Sequence, residues 1–274
     1  MNQKLKTTLI FLFSLIFTLF IAVYQRMTGP TYPVKGRITI GKQELKYKLI
    51  RAYDGADQAP VQITVSDTTI KGEIRYRRFK SYDSWQTAPM IRTSEQLTGY
   101  LPHLPPAGKI MYEVTLVKGD QRFALNEQPA VLRYKGKVPA SVLIPHIIII
   151  FLAMLFSTFT GLMVLFKGRN TYLYAWITVL TLLVGGMILG PIVQKFSFGA
   201  YWTGWPFGND LTDNKSLVAF VLWVIALVVL QRNRTNRLWP VLASIVLLIV
   251  FLIPHSVMGS EIDFTKDQQI ETTR

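Results

Sequence analysis

The chain has 274 residues, half of them hydrophobic, only 17% charged, and a formal net charge of +14. A soluble domain carries about 25% charged residues, so long uncharged runs must be displacing them. That composition excludes a disordered or collagen-like chain, and the absence of cysteine excludes a disulfide scaffold, thiol catalysis, a Cys-type zinc site and an iron–sulfur cluster.

The first run, Leu9 to Tyr24, is apolar apart from Ser14 and Thr18 and follows a basic start with Lys4 and Lys6. No small-x-small cleavage site follows it, so residues 1–26 read as an uncleaved transmembrane anchor. Four further spans are expected at Val142–Phe166, Tyr172–Val193, Ser216–Leu230 and Leu238–Ile253, none with a polar face that a soluble amphipathic helix would need. The expected fold is therefore an integral membrane α-helical bundle of five transmembrane helices with an inserted extracytoplasmic all-β sandwich domain. Its parts are residues 1–26, the sandwich 27–138, and a four-helix transmembrane domain 139–274 with an aromatic outer loop 196–215 and an outer C-terminal tail.

Orientation follows from the short connections. With the N-terminus cytoplasmic, the inner segments hold Lys4, Lys6, Lys167, Arg169, Arg232, Arg234 and Arg237 and no acid, while the outer short segments mix both signs. This is the positive-inside pattern, and it places residues 27–138 and the C-terminus outside, in a bacterial inner membrane.

Within 27–138, period-2 alternation predicts strands at Val34–Ile40, Leu45–Ile50, Val61–Val65, Ile70–Phe79, Ile110–Val117 and Ala130–Tyr134, separated by turn clusters such as Tyr53-Asp54-Gly55 and Pro105-Pro106-Ala107-Gly108. The stretch Gln96-Leu97-Thr98-Gly99-Tyr100-Leu101-Pro102, leading through the prolines to Lys109-Ile110-Met111-Tyr112-Glu113-Val114, resembles the fibronectin type III and immunoglobulin-like sandwich pattern. The resemblance implies an inward Tyr112 whose hydroxyl closes the corner between the sheets, and offers Trp85 as the buried aromatic of the earlier half. The cations Arg75, Arg77, Arg78 and Lys80 read first as a solvated strand face; their partners would be anionic lipid headgroups or an acidic protein, not nucleic acid. His103, among prolines, reads as a surface histidine.

A tetrapeptide occurs twice: Leu143-Ile144-Pro145-His146 opens the second span and Leu252-Ile253-Pro254-His255 closes the fifth. Both histidines then fall at the outer membrane edge, where an ionisable group is costly and usually has a purpose. The aromatic loop and the tail reach the same face. Asp213 is expected to cap the fourth span, which leaves Asp210, Glu261 and Asp263 as candidate ligands beside the two histidines. Three readings stay open for His146, Asp210, His255, Glu261 and Asp263: ordinary interfacial roles, a zinc, copper or manganese site, or a b-type haem held by His146 and His255 alone. A membrane-bound hydrolase with one of the histidines as base is a further alternative. Gly186 and Gly190 mark a close helix–helix contact, and no span carries a mid-depth charge pair of the kind ion-coupled transport uses. The functional expectation is an interaction or assembly role within the bilayer, as part of a membrane-protein complex, with the outer face as a possible ligand or metal site.

Overall fold

A computed structural model describes residues 2–41, 43–254 and 261–266. The chain divides into two compact units, one formed by Met1–Pro30 with Val138–Ser260 and the other by Thr31–Lys137 with Glu261–Arg274.

The first unit is helical. Its elements are α1 (Gln3–Thr28), α2 (Ala140–Leu165), α3 (Thr171–Leu182), a π-helical segment (Leu183–Leu189), α4 (Gly190–Phe198), α5 (Leu211–Arg232) and α6 (Leu238–Leu252). The segment from Thr171 to Phe198 is one continuous rod, so four helices are long and apolar enough to cross a membrane, and α6 is a shorter apolar helix of 15 residues. The fourth expected span gains a turn at its start, because Asp210 and not Asp213 is the N-cap: its Oδ1 accepts from Thr212 N at 2.8 Å.

The buried positions of this unit mix small and polar residues with large apolar ones such as Met154, Leu182, Leu230 and Phe251. Ala153, Ala175, Ala219, Ala226 and Ala243 line the helix contacts, with Trp223 fully buried among them. Trp223 Nε1 donates to Ser157 Oγ at 3.2 Å, and Ser244 Oγ donates to Ser157 O at 2.9 Å. Close approach through small residues, with polar links between helices, is how apolar helices associate when hydrophobicity alone cannot separate inside from outside. Gly185 shows how close: a Cβ there would stand 3.0 Å from the backbone nitrogen of Ile150 in α2.

The second unit is a β-sheet domain of eleven strands: β1 (Val34–Ile40), β2 (Gln43–Leu49), β3 (Ala52–Tyr53), β4 (Ala59–Thr64), β5 (Lys71–Arg78), β6 (Gln86–Pro89), β7 (Ile91–Thr93), β8 (Gln96–Leu101), β9 (Lys109–Lys118), β10 (Gln121–Ala124) and β11 (Ala130–Tyr134). One sheet runs β3-β11-β9-β5-β6 with β10 beside β9, a second runs β4-β8-β7, and β1-β2 form a hairpin. All neighbours are antiparallel except β3 and β11. The alternation has its expected meaning: Ile110, Tyr112, Val114 and Leu116 of β9 are all fully buried, facing a core shared with Val61 and Ile63 of β4 and Leu97 of β8. Such layering fits a β-sandwich. Gly99 in β8 admits Ile74 of β5, whose Cγ2 would lie 3.0 Å from any added Cβ, so the two sheets meet there without a gap.

Tyr112 is inward, and its hydroxyl donates to Ile50 O, just after β2, at 2.7 Å. A second buried phenol, Tyr134, donates to Pro102 O at 2.7 Å. Burial pushes both phenols well above their ordinary range, so each remains a neutral donor. Trp85 is a correction. It is not a core aromatic but lies partly exposed, with the guanidinium carbons of Arg75 and Arg77 at 4.6 and 5.1 Å from its ring. Its neighbours are long cations on one strand face, and the sheet core is filled by aliphatics and tyrosines instead.

Candidate functional site

Two constellations stand out, one in each unit. In the helical unit, Pro145 sits inside the second turn of α2 and His146 follows it. His146 Nδ1 lies 2.9 Å from Gly185 O in the π-helical segment. A carbonyl only accepts, so Nδ1 carries the proton and Nε2 is the remaining acceptor. The same Gly185 carbonyl accepts from Gly190 N, the wide-turn bond that defines the π segment. His146 thus fastens α2 to the place where the neighbouring helix changes pitch.

Beyond α4 the chain makes an aromatic loop and re-enters the bundle at α5. Asp213 holds that loop. Its Oδ2 accepts from Thr203 N at 2.7 Å, Gly204 N at 3.0 Å and Gln194 Nε2 at 3.1 Å, and the Gln194 amide also donates to Thr203 Oγ1 at 2.6 Å. The adjacent Asn214 Oδ1 accepts from Trp205 N at 2.6 Å. Successive backbone N–H groups closing on one carboxylate make a rigid nest. It leaves Tyr201, Trp205 and Phe207 exposed, Phe207 at 83%. Lys215, one turn below, donates to Ile253 O at 2.7 Å, placing a cation on the C-terminal carbonyls of α6.

In the β-sheet unit, Glu261 is bonded by both Lys80 and Lys109, one to each carboxylate oxygen. Burial would raise its carboxyl, but the two lysine hydrogen bonds outweigh it and hold it below the ordinary range. Asp263 Oδ1 accepts from Thr265 N at 3.0 Å and from Thr265 Oγ1, closing a turn. Arg78 forms a two-pronged pair with Asp83 at 2.7 and 2.8 Å and lies 4.6 Å from the ring centre of Phe264. The four cations of the expected basic patch are therefore largely engaged: Arg78 by Asp83, Lys80 by Glu261, Arg75 by Glu113 at 3.6 Å and by Trp85, and Arg77 by Trp85. His103 is exposed, edge-on to Tyr134.

Of the five residues that the sequence offers as ligands, His146 and Asp210 belong to the helical unit, and Glu261 and Asp263 to the β-sheet unit. His255 lies outside the described residues. Among the described residues, no three His, Asp or Glu side chains converge as a metal site. What the sequence reading missed is the Asp213–Thr203–Gln194 hub. Its signal was present in Gly204, Gly208 and two acids around a helix start, but capping explained Asp213 too readily.

The sequence matches no protein-family model, and a search of curated proteins returns no match. The class is thus defined by architecture alone: a set of apolar, membrane-type helices carrying a β-sheet domain.

Proposed function

We propose that the chain is a five-span inner-membrane protein that displays its β-sandwich outside the cytoplasm to assemble with an acidic protein partner. The observation that carries the interaction role is the stack of Arg75, Trp85 and Arg77 beside β6, the edge strand of the larger sheet. Arginine and tryptophan are the residues that most often dominate binding energy, and here they are preassembled, so little side-chain entropy remains to be lost on docking. Orientation is supported by the α2–α3 and α5–α6 connections, which hold Lys167, Arg169, Arg232, Arg234 and Arg237 without an acid.

The natural absence of cysteine makes topology testable. Single replacements Ser84→Cys and Thr235→Cys should label oppositely with a membrane-impermeant maleimide: the first in intact spheroplasts, the second only after permeabilisation. Assembly is read by native electrophoresis of gently solubilised membranes, where Arg75→Ala/Trp85→Ala should lose the larger species without losing protein abundance. Wild-type chain migrating alone would end the assembly reading.

One observation favours a second reading, a metal or haem centre using His146 and His255. A histidine whose Nδ1–H is committed to a backbone carbonyl has Nε2 oriented as metal-ligating histidines do. An absorption spectrum and elemental analysis decide it: a Soret band or stoichiometric metal, lost in His146→Ala, is the required result.

A further inference from the structure

At the end of the bundle opposite the aromatic loop, the α2–α3 and α5–α6 connections enclose a cavity of about 180 Å³. Lys167, Gly168 and Thr171 line it from one side, and Arg234, Thr235 and Arg237 from the other. Three cations and no carboxylate therefore surround one hollow. Among the described residues no salt bridge engages any of the three. The nearby Lys6 is already used, donating to Phe166 O at the end of α2.

One of the three cations, Arg234, is held in place by a ring. The Arg234 guanidinium carbon lies 3.4 Å from the centre of the Tyr172 ring. The α5–α6 turn is fixed by Asn233 Oδ1, which accepts from Thr235 N at 3.0 Å and from Thr235 Oγ1 at 2.7 Å. Thr171 and Arg237 flank the starts of α3 and α6; Asn170 supplies no side-chain cap bond to α3, whereas Asn236 Oδ1 accepts from Trp239 N at 3.2 Å in the first turn of α6. Three cations outside any salt bridge, the Thr171 hydroxyl and the positive end of α3 around one hollow suit a compact, multiply charged anion.

We infer that this cavity binds a phosphate group, supplied by the headgroup of an anionic phospholipid in the adjoining leaflet. The inference rests on the membrane reading above, which puts this end of the helices at headgroup level on the cytoplasmic side. Basic pockets between spans on that side are where such headgroups lodge.

The test uses the full chain in nanodiscs of phosphatidylcholine with and without phosphatidylglycerol, and native mass spectrometry to read which lipid stays bound. Wild type should retain phosphatidylglycerol in strong preference. Lys167→Gln/Arg234→Gln/Arg237→Gln should weaken that retention on the order of 100-fold or more, each hydrogen bond to the charged headgroup within the cavity being worth about tenfold. The control Lys4→Gln/Arg169→Gln/Arg232→Gln removes equal charge outside the cavity and should leave the preference in place. Equal loss in both variants would mean diffuse attraction and overturn the site. Inorganic phosphate is added to neutral discs as a separate arm. If it raises the melting temperature of wild type but not of the cavity variant, and no lipid preference is seen, the lipid source is overturned. Unchanged melting of the cavity variant in neutral discs shows that it is folded. A chain that never enters discs contradicts the membrane reading itself; a chain embedded without lipid preference contradicts only the cavity.

Discussion

The two units expose opposite things. The β-sheet domain hides its aliphatics and shows its charges, with Ile74, Leu97, Val114 and Leu116 in the core and Arg37–Glu44, Arg122–Glu73 and Lys118–Asp67 outside. The helical unit buries hydroxyls beside its Leu182, Leu230 and Phe251 and turns further large apolar side chains outward: Ser14, Ser157, Thr160 and Thr178 are buried while Ile16, Leu19, Phe20 and Leu173 are more than half exposed. Water drives the first arrangement. The second is the arrangement expected of helices in a hydrocarbon surround, where contact between them comes from close packing and a few polar links.

That contrast can be broken most sharply in the β-sheet core. Ile74→Ala should cost about 2–5 kcal/mol, read as a lowered denaturation midpoint of the β-domain signal, because it removes both transfer energy and packing. A single added methyl is the matching insult in the helical unit. Gly185→Ala places a Cβ against the α2 backbone, which cannot step aside, and should cost about 1–3 kcal/mol in thermal melts in detergent. The finer comparison uses one buried hydrogen bond from each unit. Tyr112→Phe strands the Ile50 carbonyl and should cost about 1–1.5 kcal/mol. Trp223→Phe deletes the bond to Ser157 and should cost only about 0.6 kcal/mol, the usual scale between membrane helices. Equal costs would dissolve the distinction between the two environments.

The smallest effect concerns pH. Glu261 is held below its ordinary value, so its contribution is complete above about pH 4.3 and fades as pH falls through its folded value. Hydrogen exchange at Ile262, whose amide donates to Ala107 O at 3.3 Å, should lose protection on acidification and already at neutral pH in Glu261→Gln. Protection unchanged in that variant would show the ion pairs to be incidental.

Much of this was legible before any coordinates. Strands Val34–Ile40 and Ala130–Tyr134 fall where their alternation puts them, and Tyr112 points inward with its hydroxyl closing on Ile50. Period 2 survives in sequence because one strand face is wet and the other dry. Short edge strands such as β6 and β7 left no such trace, having few residues and no fully buried face. Helix starts are ambiguous in sequence where two acids compete: Asp210 and Asp213 are three apart, and only backbone geometry shows that the first caps while the second gathers the loop. The proposed ligands shared a face only by inference from topology, and pairings such as Glu261 with Lys80 and Lys109 span more than 150 residues of chain.

The π-helical segment has a consequence for which sequence changes the rod tolerates. An α-helix turns about 100° per residue, and a wide turn accommodates a residue that the regular pitch would not. Substitutions along Leu183–Leu189 that leave the wide turn in place keep the phase of everything that follows. Deleting one residue there would restore regular pitch with α4 still in phase, whereas relaxing the wide turn at full length would rotate α4 by about 100° about its axis. Gln194 would then swing away from Asp213 and Thr203, and the loop would lose its third tie. The wide turn itself, more than the number of residues, is what this stretch of the protein must conserve.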